Sequence, residues 1–597
     1  MAVLTQHNDN YRTGMNLQET ILNVNNVNQN AFGSVGTLPI DDVIYAQPLV
    51  MTNVAVPGAG KHNLVYVVTA SDSVYAYDAD NVQSPNLYWK VSFLSSNAAS
   101  NVMPPQVADI DAACHCVYVA FTKNFGIVGT PVIDPSSGTL YVVAMTKEIT
   151  GTTTNFVQRL HALNVATGAE QPNSPVVIAA SCPGTSIEAV GGVIQFSAFK
   201  QVQRPGLLLV NGMLYIAWAS FDDFGPYHGW VLSYSTADLT VPPLVFNTST
   251  ASTGFSNGGQ GGIWMSGTGL AADADGNVYA VTGNGVFDGA VNFSECTLKL
   301  TPGTTTLNVA SYFAPYNWAA LNQTDQDLAT GGMLLIPNTS LMVCMSKLGQ
   351  IYVVNRDNMG GVSQGNADTN IVQTWNISLG TSNSFIPHGG PAWWNGPGGP
   401  YMYLWPSQKG PSQPYLQQYE FDTTSGQFDT NPVALNNFFA NDGSAGGVLS
   451  VSANGTNANT GIVWAIATGK ITGTSGTLHA FNAENISEDL WDTTNKDSIS
   501  KWVPPTVANG KVYVPTTNLF VRVYGLFPLP PLAGTLANTN MQLSWPVTNF
   551  PGFSLQGATN IGNDSWLNLT NTVTKSNGAN VASVPVGSTN MFFRLKR

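Results

Sequence analysis

One repeated pattern limits what this chain can fold into. A Gly/Pro-rich apolar segment runs into a tight turn, and a strongly apolar, β-branched and aromatic run follows. The second run reads "HNLVYVVTA" (62–70), "SGTLYVVAM" (137–145), "NGMLYIAWA" (211–219) and "DGNVYAVTG" (275–283). Weaker copies are "TSLMVCMSK" (339–347), "GPYMYLWPS" (399–407), "TGIVWAIAT" (460–468) and "NGKVYVPTT" (509–517), which makes eight. The segments before them include "YAQPLVM" (45–51), "QRPGLLLVNG" (203–212), "HGGPAWWNG" (388–396) and "PPTVANG" (504–510). A third, alternating run follows most copies, as in "SVYAYDADN" (73–81) and "QIYVVNRDNMGG" (350–361).

The unit is a four-stranded antiparallel meander. Its two inner strands are apolar throughout, as strands buried on both faces are. One meander cannot cover both of its faces, but radial packing of several can. The expected fold is therefore all-β: an eight-bladed β-propeller of four-stranded antiparallel blades, over 32–526. After "FVRVYGL" (520–526) no fourth strand remains for the last blade, while "FGSVGTLPIDD" (32–42) is a strand without a blade. Pairing the two removes an open edge. Residues 1–31 then read as an N-terminal extension. "LFPLPPLAG" (526–534) holds a Pro-rich linker at 527–534. Short alternating stretches such as "MQLSWPV" and "FSLQGAT" make 535–597 a small C-terminal β-sandwich.

Charged residues are only 9% of the chain, so turns and uncharged polar side chains carry the surface. A net charge of −13 argues against nucleic acid as a partner, which needs a basic face. No apolar run reaches the length of a transmembrane segment. Five cysteines (Cys114, Cys116, Cys182, Cys296, Cys344) do not form a disulfide framework. "CHC" at 114–116 lacks further metal ligands at suitable spacing, and a disulfide to Cys182 is the pairing considered. "AADADG" (271–276) lacks the spacing of a calcium loop.

With "QRPGLLLVNGMLYIAWAS…GPYHGWVLSY", "GGIWMSGTGLAADADGNVY" and "VANGKVYV", the stretch 30–526 resembles the pyrroloquinoline quinone (PQQ)-like, or quinoprotein alcohol dehydrogenase-like, propeller family. The C-terminal "LSWP…FSLQGATN…W…FFRL" is similar to modules on secreted proteins of Verrucomicrobia-type bacteria. The first resemblance implies PQQ with calcium as cofactors. The second implies a secreted or cell-surface location, with any signal peptide absent from this chain. The sequence departs from the dehydrogenases in having no adjacent Cys-Cys pair and no C-x-x-C-H for haem c. No metal ligands are assigned.

In a propeller the loops leading into first strands and those after second strands share one face. That mapping gathers Gln47, Arg204 and His388 at the lead-in loops, with Trp264 near an inner strand as a stacking surface. Lys147, Lys347, Lys409 and Lys470 follow second strands in corresponding register. With Arg204 they make a cationic mouth suited to an anion, against the plain reading that hairpin loops carry lysines for solubility. Asp222 and Asp223 are the candidate catalytic bases. Three functions stay open: a secreted PQQ-dependent alcohol or sugar dehydrogenase; a non-catalytic cell-surface propeller binding glycans or proteins; and a propeller-scaffold hydrolase or lyase.

Overall fold

The computed structural model describes residues 2–596 apart from 97–99, 118–120, 252–258, 378–384, 387, 409–414, 440–446, 469–475, 494–496, 529, 548–552, 561–565 and 588–589. It is an all-β chain of β-propeller type, built from antiparallel meanders laid down in sequence order. The first sheet orders Leu49–Val56, Gly60–Val68, Ser73–Asp78 and Leu87–Ser92. The second runs Val132–Asp134, Thr139–Thr150, Thr153–Asn164, Val176–Val177, with Ser100–Met103 also pairing with Thr139–Thr150 and Ser95–Ser96 beyond it, and the third Leu208–Val210, Met213–Ser220, Trp230–Ser235, Leu244–Asn247, with Gln201–Val202 also on Met213–Ser220. The fourth is Ala271–Ala272, Val278–Val281, Thr297–Pro302, Leu307–Ala314; the fifth is Met333–Leu335, Leu341–Met345, Gln350–Asn355, Gln373–Asn376. The sixth is Ala392–Gly396, Gly399–Leu404, Tyr415–Asp422, Ala434–Phe439; the seventh is Gly447–Ser452, Ile462–Thr468, Gly476–Asn482, Asp489–Asp492. In the eighth, Thr506–Ala508, Lys511–Pro515 and Phe520–Leu526 take Phe32–Pro39 as their outer strand.

The local chemistry explains the hairpins. Asn211-Gly212 and Asn509-Gly510 carry positive φ at both residues (52° and 72° in each pair), the conformation a two-residue hairpin turn needs. The second strands are buried almost throughout, as in Met213–Ser220 and Val278–Val281. Apolar clusters bridge neighbouring sheets: Leu208, Tyr215, Ala271, Tyr279, Met333 and Tyr352 belong to one of them.

Residues 3–19 are not a free extension. They hydrogen-bond to the innermost strand of each sheet, or to the residues beside it, in chain order. Val3 exchanges two backbone hydrogen bonds of 2.8 Å with Val50, and Leu4 O accepts from Ile133 N. Asn10 Nδ2 donates to Leu209 O at 2.9 Å in the third sheet, and Asn10 O accepts from Ala272 N in the fourth. Tyr11 O takes Leu335 N, Thr13 O takes Trp393 N, and Gly14 O takes Val451 N. Asn16 Nδ2 then reaches Val507 O at 2.8 Å in the eighth sheet.

Two buried side chains hold this segment in its curve. The Arg12 guanidinium, 0% exposed, donates to Leu270 O (2.7 Å), Thr5 Oγ1 (2.8 Å), Gln6 O (2.6 Å) and Leu207 O (3.2 Å). Burial lowers its pKa to about 10, with Asp9 working the other way. His7, also 0% exposed, has its ring nitrogens 2.8 Å from Arg12 O and 3.1 Å from Leu449 O. Burial takes its pKa down to about 4, so the ring is neutral at pH 7.

A second compact unit comprises Asn28–Gly33 with Leu526–Arg597. It holds two antiparallel sheets, one of Ala533–Ala537, Asn540–Pro546, Ala579–Pro585 and Val573–Ser576, the other of Leu567–Asn568, Ser554–Ala558 and Phe592–Lys596. Leu543, Trp545, Leu555, Ala582 and Val584 form its core. Two short helices, Val107–Cys114 and Trp318–Gln323, were not expected from the sequence. Among the described residues no helix is long and apolar enough to cross a membrane.

Candidate functional site

The lead-in loops of six sheets meet over the N-terminal segment. Gln6, Gln47, Thr130, Arg204, Thr268 and Trp502 line a small cavity of about 20 Å³ together with Lys501. That is space for one or two waters, or for one small oxyanion head. His388, from the loop leading into the sixth sheet, stacks on Trp502 with ring centres 5.4 Å apart and planes 22° from parallel.

Trp502 organises the site. Its backbone sits at φ +60°, a region costly for a bulky residue, held within a turn at Lys501-Trp502. Gly267 lets the fourth sheet's loop approach it: a Cβ there would lie 2.8 Å from Trp502 O, and φ is +72°. The Arg204 guanidinium carbon is 4.0 Å from the Trp502 ring centre and 5.4 Å from that of Phe121. Lys501 Nζ is also 4.0 Å from the Trp502 ring centre.

Lys501 is only 6% exposed, and its Nζ has no hydrogen-bond partner among the described residues. Burial drives its pKa well below the usual lysine value, and the nearby Arg204 charge adds to the effect. His388, 8% exposed with Nδ1 also unpartnered among the described residues, is held neutral by burial and then by Lys347, Lys501 and Arg204. A cavity whose basic groups are desolvated beside one another favours an incoming negative charge.

An acidic cluster carries Lys347. Its Nζ lies 2.8 Å from Asp325 Oδ1 and 2.9 Å from Asp327 Oδ2. Burial alone would lower the lysine's pKa, but Asp327 and Asp325 outweigh it and raise it. Asp327 N–H neighbours are supplied too: its Oδ1 accepts from Asn284 N at 3.2 Å. Glu295 is 0% exposed and sits at φ +50°, with Oε2 accepting Leu328 N at 2.9 Å. Burial and then Asp327 raise its pKa well above the usual range. Asp223 is exposed as a residue, but its Oδ1 turns in to accept the buried Tyr227 hydroxyl at 2.5 Å. Burial of that carboxyl, with Asp327 and Asp325 adding to it, brings its pKa to about 6.

The residues singled out from the sequence separate into groups. Arg204, His388 and Gln47 come together at or beside the cavity. Gln47 also anchors the N-terminal segment, accepting His7 N at 2.8 Å and donating to Asn8 Oδ1 at 3.2 Å. Lys147 is paired with Asp109 at 2.5 Å, and Lys347 with the carboxylates above, so neither is an uncompensated charge. Lys409 and Lys470 lie outside the described residues. Trp264 is half-buried beside Tyr227, ring centres 6.5 Å apart, and Asp222 is exposed at φ +48°. Burial and Asp111 raise the Asp222 pKa. Sequence reasoning missed Lys501 and Trp502. The only signal was two bulky residues in "KWVPP", just ahead of the last lead-in segment.

One constellation resembles a catalytic triad, but its hydroxyl is engaged elsewhere. His228 contacts Glu188 through Nε2 and Ser249 Oγ through Nδ1 at 2.7 Å. Ser249 is 0% exposed and its hydroxyl donates to Gln260 O at 2.7 Å, so its proton is committed and its oxygen is out of reach. Cys114 and Cys116 pair with each other, not with Cys182, which is free.

No protein-family model and no curated protein matches the chain. Among solved structures, the computationally designed Ika8 protein is similar at 9% identity, over 82% of this chain and 99% of that one, with a TM-score of 0.41. The Chaetomium thermophilum protein Sqt1 is 11% identical over 82% of this chain and 97% of its own, TM-score 0.36. The Cps50 (Swd1) β-propeller domain of Myceliophteria thermophila is 9% identical over 66% and 95%, TM-score 0.31.

Proposed function

We propose that the chain is an eight-bladed propeller, closed by Phe32–Pro39, that binds a small oxyanion or the anionic head of a larger ligand at its mouth. The observation that carries this reading is Lys501: a deeply buried amine, without a hydrogen-bond partner among the described residues, on a cavity that Arg204 also lines. A buried basic group left in that state is costly unless a ligand completes it. The N-terminal segment supports the blade count, because residues 3–19 meet the sheets in turn.

This reading favours a binding propeller over a quinoprotein dehydrogenase. A flat tricarboxylate quinone needs an open aromatic face, whereas Trp502 already carries Arg204, Lys501 and His388. The cavity of about 20 Å³ suits a single head group. Asp223, with a pKa near 6, leaves room for proton transfer to a ligand that extends outward from that head.

Thermal melts in rising acetate, phosphate or sulfate, with a neutral sugar as control, test the proposal. One of the anions should raise the melting temperature saturably, and Lys501→Met should abolish the rise. Equal response of both proteins to all four would overturn it.

A further inference from the structure

The Cys114–Cys116 bond has features that a structural staple does not need. It encloses one residue, His115, so it restricts the unfolded chain about as little as a disulfide can. The helix before it is already bounded without it. Val107–Cys114 begins with a reciprocal capping box between Gln106 and Asp109, and it ends with His115 in the left-handed conformation at φ +56°. The bond also lies at the surface. Cys114 and Cys116 are half-buried, while His115 between them and Val117 beyond, at 79% exposure, stand in solvent. Exposed disulfides that stabilise little are the ones that exchange.

The remaining cysteines cannot serve it. Cys344 and Cys296 are 0% exposed, and burial pushes the Cys344 thiol up to about 12 and that of Cys296 higher still. Cys182 is raised to about 12 by burial and by Glu188. None supplies a thiolate at neutral pH, so no thiol of this chain attacks the bond and any attacking thiolate comes from outside.

We propose that Cys114–Cys116 is a thiol–disulfide exchange site that takes external thiols as substrate. A substrate thiolate bonds to one Sγ as the S–S bond breaks, and the departing electron pair leaves on the other Sγ, which takes up a proton. A second substrate thiolate attacks the substrate sulfur of this mixed disulfide and releases the remaining protein thiolate, which is protonated in turn. Two thiols become one substrate disulfide, and the protein gains two electrons and two protons.

The test uses the whole folded protein with excess reduced glutathione, and in parallel with a short cysteine-containing peptide. The reaction is quenched with N-ethylmaleimide and mapped by peptide mass. The expected result is one equivalent of substrate disulfide per chain, with label on Cys114 and Cys116 and none on Cys296 or Cys344. The Cys114→Ser/Cys116→Ser double variant should fold with an unchanged circular dichroism spectrum and yield no substrate disulfide. Turnover of glutathione alone would assign the site to small thiols, and turnover of the peptide alone to proteins. Two results would overturn the proposal: no substrate disulfide from the native protein, or label on Cys114 and Cys116 only where Cys296 and Cys344 are labelled as well.

Discussion

Arg204 and Lys501 share one indole: the guanidinium carbon and the lysine nitrogen each lie 4.0 Å from the ring centre of Trp502. The two basic groups come from loops almost 300 residues apart in sequence, leading into the third and eighth sheets. Burial first, and the Arg204 charge second, lower the Lys501 pKa, so holding the two groups together there has a cost. An anion in the cavity would reverse that cost.

Lys501→Met is expected to stabilise the empty protein. The substitution keeps the volume and removes a buried amine with no hydrogen-bond partner among the described residues. A buried polar group without a hydrogen bond costs about 1–3 kcal/mol, and an apolar side chain of similar volume removes that cost. Urea denaturation of both proteins, without added anion, measures the difference. A loss of stability would show that Nζ has a structural partner.

Anion binding should take up protons. The empty folded site holds Lys501 deprotonated at pH values well below the ordinary lysine range. A bound anion restores the ammonium, so between the two pKa values binding brings a proton with it. Affinity should then fall as pH rises across that window, by up to about tenfold per pH unit for one proton. Calorimetry in buffers of different ionisation enthalpy reads the uptake directly. No dependence on buffer would contradict the role given to Lys501.

The N-terminal segment should be as sensitive as any core strand. Arg12→Ala removes a guanidinium from buried carbonyls of Gln6, Leu207 and Leu270 and is expected to cost about 3–5 kcal/mol. Gly14→Ala places a Cβ 2.6 Å from His7 Nε2 at a φ of +70°, and should also be strongly destabilising. Chemical denaturation of both variants checks this. A near-neutral result for either would mean the segment detaches without consequence.

Asp223 adds a pH term of definite sign. Its pKa rises from 3.8 to about 6 on folding, so between those values the folded protein holds a proton that the unfolded chain has released. Stability should fall as pH rises through that window. Asp223→Asn has no proton to lose and should remove this part of the slope, measured by denaturation at pH 4 to 7. An unchanged slope would place the carboxyl in open water.

The repeated strands were legible because each carries its own signal. "NGKVYVPTT" contains both the Asn-Gly turn and the apolar run, and the strand Lys511–Pro515 lies within it. The N-terminal segment carries none: His7, Asn8, Arg12 and Gly14 all have positive φ, so its backbone follows no period that side-chain spacing reveals. The lysines show the limit of register. Lys147 and Lys347 occupy matching positions, yet each turns to a carboxylate from a loop or helix that no repeat encodes, Asp109 and Asp327. Arg204 and His388 were legible as lead-in residues; Lys501 and Trp502 were not, because they stand ahead of the repeated pattern, in a turn that its strand signals do not mark.

The most direct test is crystallographic. Crystals soaked in selenate are examined for anomalous scattering at the mouth. The account predicts a peak within hydrogen-bond distance of Lys501 Nζ, about 2.7–3.2 Å from the nitrogen to an oxyanion oxygen, and no such peak in Lys501→Met. Selenate bound only elsewhere on the surface, with the cavity between Arg204, Lys501 and Trp502 left to water, would contradict it.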